Sequence, residues 1–135
     1  MANLDLELKY DWYEAAVQTP ETEVDFMRKW YKKFHGRFPK TLREDFCGTG
    51  AISCEWVKKG NENVAFGVDL DPEPIEMGKR RNWSKLKPAA KSRMSYIQGN
   101  VLEDRDFKVD VACAFNFSYF IFKNRPLLLS YFKKV

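Results

Sequence analysis

The chain has 135 residues, of which 44% are hydrophobic and 31% charged, with a formal net charge of +4. This balance fits one soluble globular domain and argues against a disordered or membrane class. The longest apolar stretch, Val109 to Ile121, is interrupted by Asp110, Asn116 and Ser118 and falls well short of a bilayer span. The first residues carry Asp5, Glu7, Lys9 and Asp11 instead of a basic segment and an apolar run, so the sequence predicts no secretory leader, no membrane partner and a cytoplasmic location. Cys47, Cys54 and Cys113 form no CxxC pair and are expected as free thiols, with no metal site. The single histidine, His35, falls at the expected end of a helix.

Thr19 as N-cap and Pro20 at the first helical position open a helix in which Val24, Met27, Tyr31 and Phe34 recur at three-to-four spacing, ending near Gly36. Its apolar face should pack on a core. The aromatic-rich stretch Tyr10 to Val17 before it reads as a second, shorter helix, and residues 1–38 form an N-terminal helical segment ahead of a unit spanning 39–135. A short strand around Glu44 to Phe46 reaches the turn Cys47-Gly48-Thr49-Gly50, after which a helix runs from Ala51 to about Lys59, stopped by Gly60. Val64 to Val68 form a second apolar strand ending in Asp69, and Pro74 starts the next helix, through about Trp83. Met94 to Gln98 and Val109 to Phe115 give a third and a fourth strand, and Asn124 to Lys134 a last helix. Strands alternating with helices imply a parallel sheet covered by helices on both faces.

In such a sheet, ligands bind beyond the carboxyl ends of the strands, where the first strand turns into its helix. Gly48 and Gly50 stand at that turn, where absence of Cβ lets the backbone bend sharply and approach a ligand. Asp69 lies nineteen residues after Gly50, at the end of the second strand, where a carboxylate can accept hydrogen bonds from both hydroxyls of a ribose. A phosphate-binding loop is excluded, because Gly50 is followed by Ala51 and Ile52 instead of a lysine and a hydroxyl residue. The dinucleotide fingerprint is matched only in part, with Ser53 at its third small position. A second basic feature, the acid-free run Lys79, Arg80, Arg81, Lys85, Lys87, Lys91 and Arg93, holds only Trp83 as an aromatic, so a solvated helix end is favoured over a nucleic-acid surface.

Glu44-Asp45-Phe46-Cys47-Gly48-Thr49-Gly50 resembles the first motif of class I S-adenosylmethionine-dependent methyltransferases, and Gly67-Val68-Asp69-Leu70-Asp71-Pro72-Glu73-Pro74 resembles their second. The longer match from Leu42 through Trp56 looks like bacterial methyltransferase-domain proteins of unassigned substrate, and the resemblance covers residues 40–120. It implies an α/β, Rossmann-like fold with a parallel sheet in the order 3-2-1-4, incomplete in its C-terminal half, and S-adenosyl-L-methionine as cofactor. It assigns Glu44 to the methionine amino group, Gly48 and Gly50 to close backbone approach with Cys47 before them and Thr49 between them, Asp69 to the ribose and Leu70 to the side of the adenine. Phe46 replaces the first glycine of the motif. Asn100, followed by Val101, stands where the family has an acid that accepts the adenine amino group, a bond an amide oxygen can also accept. Asn116 and Tyr119 fall where relatives meet cofactor and acceptor, and Tyr13, beside Tyr10 and Trp12, falls where many build a lid.

The function so implied is methyl transfer to an unidentified acceptor, with a non-catalytic cofactor-binding module and, less favoured, an NAD-dependent oxidoreductase as alternatives. Only one helix is expected after the fourth strand, so the chain reads as truncated relative to that family. Its apolar fourth-strand edge then invites a homodimer.

Overall fold

The computed structural model describes residues 2–17, 19–103 and 107–114, with the side chains of 2–4 and 13–17 left aside. The expected last helix, Phe115, Asn116 and Tyr119 lie outside the described residues, as does the side chain of Tyr13. In chain order the elements are α1 (Ala2–Val17), α2 (Pro20–His35), β1 (Thr41–Asp45), α3 (Ala51–Lys58), β2 (Val64–Asp69), α4 (Pro72–Arg81), a 3-10 turn (Trp83–Lys85), α5 (Pro88–Lys91), β3 (Met94–Gln98) and β4 (Val111–Cys113).

The four strands are parallel and lie in the order β3-β2-β1-β4, which is the expected Rossmann-like arrangement. Register follows from alternation: Leu42 aligns with Ala65 and Val111, and Ala65 with Met94, so these side chains share one face. That face carries the main core, where Leu42, Ala65 and Met94 meet Val24 and Met27 from α2, Ile52, Trp56 and Val57 from α3, and Ala90 from α5. The opposite face presents a second, smaller cluster of Phe46, Val68 and Val101, and Phe66 stacks on Phe107 with centroids 4.3 Å apart. Among the described residues β4 pairs with β1 alone.

Several boundaries differ from expectation for identifiable reasons. Helix α1 runs the full Ala2–Val17, longer than the stretch from Tyr10 that its aromatics marked. Helix α4 starts at Pro72 instead of Pro74, because Asp71 is its N-cap and accepts the Glu73 N–H at 3.0 Å. Strand β4 is only Val111–Cys113, since Asp110 turns its carboxylate to Arg37 and to the N–H groups of Lys40 and Thr41 before the ladder begins. The helix after the glycine turn ends at Lys58 with Lys59 as a right-handed cap, so Gly60 is not its left-handed terminator. Gly36, at φ 76°, does end α2 in that way and donates its N–H to Lys32 O at 2.8 Å.

Of the expected α2 core stripe only Val24 and Met27 are buried; Tyr31 is half-buried, and Phe34 is 73% exposed and stacks on Trp30. Helix α2 has sixteen residues and packs on the eight-residue α3, so its last turn runs past the element it covers. His35 closes α2 and stacks on Tyr31, with centroids 4.1 Å apart. Among the described residues no helix is long and apolar enough to cross a membrane.

Candidate functional site

Three strand ends meet at the carboxyl edge of the sheet. Strand β1 leaves its ladder at Phe46, whose φ of 54° lies in the left-handed region that bulky residues avoid. This is the position where the resembled motif has glycine, so the backbone keeps the glycine conformation under a phenylalanine side chain. The ring is held by burial, 8% exposed against Val68 and Val101. From there the chain passes through Gly48 at φ 56° and Gly50 at φ 71° into α3.

Asp69, the last residue of β2, binds this turn directly: the Gly48 N–H donates to its Oδ2 at 2.8 Å, and the Asp71 N–H donates to its Oδ1 at 3.0 Å. The Gly99 N–H donates to the Asp69 carbonyl at 2.9 Å, which brings the end of β3 alongside. Asn100 follows, its Oδ1 accepting the Leu102 N–H at 2.9 Å, and Val101 is buried under Phe46. Leu70, 66% exposed, projects beside these groups. Phe46, Gly48, Asp69, Leu70, Asn100 and Val101 are therefore gathered from three separate strand ends.

Cys47, Thr49 and Gly50 lie behind the turn. The Cys47 side chain is buried against Gly67, where an added Cβ would lie 3.0 Å from its sulfur, and burial pushes its thiol well up. Thr49 is fully buried, and its carbonyl accepts the Tyr96 hydroxyl at 2.7 Å and the Asn82 amide at 3.2 Å. Gly50 faces the Tyr96 ring, 2.7 Å from where its Cβ would be. Both this contact and the positive φ of 71° favour glycine there.

Glu44 is almost completely enclosed, accepting from the Ser53 hydroxyl at 2.7 Å and the Ser53 N–H at 3.1 Å at the start of α3. Burial pushes its carboxyl up to about 8, although the two Ser53 bonds favour the ionised form. On the other face of β1, Arg43 and Asp45 form a buried ion pair at 2.6 Å, and Arg43 also reaches the Val101 carbonyl at 2.8 Å. This pair ties β1 to the Asn100–Val101 turn. Its signal in the sequence is the i, i+2 alternation, which puts both charges on one face of a strand.

Helix α1 lies against α4, next to the site. Tyr10, buried, donates to Glu73 Oε1 at 2.8 Å, Lys9 pairs with the same oxygen at 3.1 Å, and Glu7 and Asp11 bind Arg80 and Arg81. Arg93 spends its guanidinium on the carbonyls of Val57, Gly60 and Asn63. Lys79 pairs with Glu76 at 3.5 Å and Lys91 lies over the Trp83 ring at 4.9 Å, so five cations of the acid-free run have partners within the chain. The sequence names Tyr10 beside the lid candidate Tyr13 but does not signal its bond to Glu73 or the pairing of the α1 acids, since these partners are more than sixty residues away.

No protein-family model matches the chain, and no curated protein matches it. Solved structures do. The plantazolicin methyltransferase BpumL, crystallised with a triazolic desmethylPZN analog and SAH, superposes with a TM-score of 0.71 at 16% identity, over 97% of this chain and 48% of that one. The sugar N-methyltransferase KedS8 from Streptoalloteichus sp ATCC 53650 gives 0.68 at 20% identity, over 90% of this chain and 45% of that one. The methyltransferase domain of bacterial CtHen1 gives 0.66 at 18% identity, over 85% and 56%. The chain thus spans about half the length of the solved structures it matches, and across that half it has the Rossmann-like fold of these methyltransferases.

Proposed function

We propose that the chain binds S-adenosylmethionine at the carboxyl edge of the sheet and supplies the cofactor-binding half of a methyltransferase. The observation that carries this reading is the junction of Asp69 with Gly48, which joins the glycine turn to the acid at the end of β2. An ionised carboxylate offers about four acceptor positions. Two of these on Asp69 take backbone N–H groups, and the others suit the two hydroxyls of a ribose. Leu70 offers an exposed apolar surface for a purine, and Asn100, just past the end of β3, is the residue whose amide oxygen would accept the purine amino group. The likeness to methyltransferase structures, one of them holding SAH, supports the same cofactor.

The bound sulfonium supplies an activated methyl group with a neutral thioether as leaving group. Displacement of that kind asks the protein chiefly to align the reactants and exclude water, with a base required only where the acceptor must shed a proton. The work of these residues is to hold the nucleoside rigidly, with Phe46 and Val101 as an apolar floor and Glu44 bracing the start of α3 through Ser53.

Calorimetric titration with S-adenosylhomocysteine and with NAD tests the reading. S-adenosylhomocysteine should bind and NAD should not, and Asp69→Ala should weaken binding by about 1.5–3 kcal/mol, the scale of hydrogen bonds to a charged group. Tighter binding of NAD, or an unchanged affinity for S-adenosylhomocysteine in a folded Asp69→Ala variant, would sink it.

A further inference from the structure

Helix α2 has a second apolar face that the fold does not use. Val24 and Met27 point into the core, whereas Phe26, Trp30 and Phe34 stand 57%, 42% and 73% exposed. They recur every four residues and form one continuous row, with ring centroids 6.0 Å apart from Phe26 to Trp30 and 5.7 Å from Trp30 to Phe34. Single exposed aromatics are ordinary, but a contiguous row of three marks a surface that meets something.

Charge along the same helix indicates what it meets. Glu21, Glu23 and Asp25 occupy its first half, and Arg28, Lys29, Lys32 and Lys33 its second. A helix acidic at one end and basic at the other matches itself only when two copies run antiparallel. With a twofold axis at Trp30, Phe26 of one chain falls opposite Phe34 of the second copy, and Asp25 falls within a turn of Lys33 of the second copy. Both charges are available at the surface: Asp25 is 62% exposed with a single ion pair to Lys59 at 3.3 Å, and Lys33 lies over the Trp30 ring at 4.7 Å. An anionic lipid surface or a nucleic acid would suit the basic half but meet repulsion from the acidic half. Trp30 and Phe34 are already stacked on each other, which removes one ring face of each from base stacking.

We propose that α2 is an isologous interface, in which the Phe26-Trp30-Phe34 row of one chain packs antiparallel on the same row of a second copy. The interface is small. Three aromatics of about 150–250 Å² each, roughly half exposed, contribute about 300 Å² per chain, below the roughly 800 Å² of a standard complex. The dimer is accordingly weak and dissociates on dilution.

Sedimentation velocity across a hundredfold range of concentration should show a reversible monomer–dimer equilibrium. Trp30→Ser with Phe34→Ser should weaken dimerisation more than tenfold while leaving the circular dichroism spectrum unchanged, because both side chains are exposed. Asp25→Lys and Lys33→Glu should each weaken it, and the two together should restore it, a rescue that a loss of folding would not give. With Trp30→Cys, oxidation should yield a symmetric disulfide across the axis. A dimerisation constant indifferent to the double serine variant would overturn the proposal and leave the β4 edge as the contact. A chain monomeric throughout, whether or not it binds phosphatidylserine vesicles or an oligonucleotide, would overturn it as well.

Discussion

Gly78 of α4 stands so close to Thr49 that a Cβ on it would lie 2.0 Å from the Thr49 carbonyl oxygen. No side-chain rotation relieves such an encounter, because both partners are backbone. The helix and the glycine turn are therefore fitted to each other through the one residue without a side chain.

Gly78→Ala is accordingly expected to destabilise the protein by about 3 kcal/mol or more, at the upper end of overpacking costs, although glycine-to-alanine inside a helix ordinarily stabilises. Urea denaturation gives the sign directly. An alanine variant as stable as the parent would show that α4 can move off the turn freely.

Phe46 supplies a test with an inverted order. At a φ of 54° alanine is strained by roughly 1–2 kcal/mol and glycine is not. Both replacements remove the ring from Val68 and Val101 and should cost about 2–4 kcal/mol. Phe46→Gly should nevertheless be the more stable of the two by about 1 kcal/mol, read from their urea midpoints.

Glu44 sets a dependence on pH. Its carboxyl is raised by burial from 4.5 to about 8, so between these values the folded chain holds a proton that the unfolded chain has lost. Stability is then greatest below about pH 4.5 as far as this group is concerned, and declines as pH rises toward 8, by at most about 1.4 kcal/mol per pH unit. Glu44→Gln should flatten that decline in thermal melts recorded from pH 5 to 8. An identical slope in the variant would assign the effect elsewhere.

Asp110 works in the opposite direction. The Arg37 guanidinium, with the N–H groups of Lys40 and Thr41, holds its carboxyl well below the usual carboxylate range. Its stabilisation is present above about pH 4 and is lost as the solution is acidified through its lowered value. Asp110→Ala should cost about 2–3 kcal/mol at neutral pH, since it leaves two backbone donors and a guanidinium without their acceptor. The same variant should lose less stability on acidification than the parent, as a melting series would show.

The strand order and the meeting of the glycine turn with Asp69 were legible because each rests on a local pattern: short strand segments alternating with helices, Gly48 and Gly50 after the first, Asp69 at the end of the second. What escaped was set by distance in the chain. Tyr96 pins Thr49 from 47 residues away, and Gly78 accommodates it from 29. Neither tyrosine on a strand nor glycine in a helix signals such a partner. The α2 stripe was misjudged at Phe34 because three-to-four spacing identifies an apolar face without saying where the neighbouring element stops. Asn116 and Tyr119 fall outside the described residues, and their expected roles stand as the sequence left them.

The glycine turn is held in place without any ligand. The Cys47 N–H goes to Val68 O, the Gly48 N–H to Asp69 and the Gly50 N–H to Cys47 O, while the Thr49 carbonyl is clasped by Tyr96 and Asn82. Its conformational entropy is lost when the sheet assembles, during folding. Were a nucleoside to bind there as proposed, it would order little of the polypeptide, so its heat-capacity change should reflect its own buried surface, without the larger signature of a segment that folds around its guest.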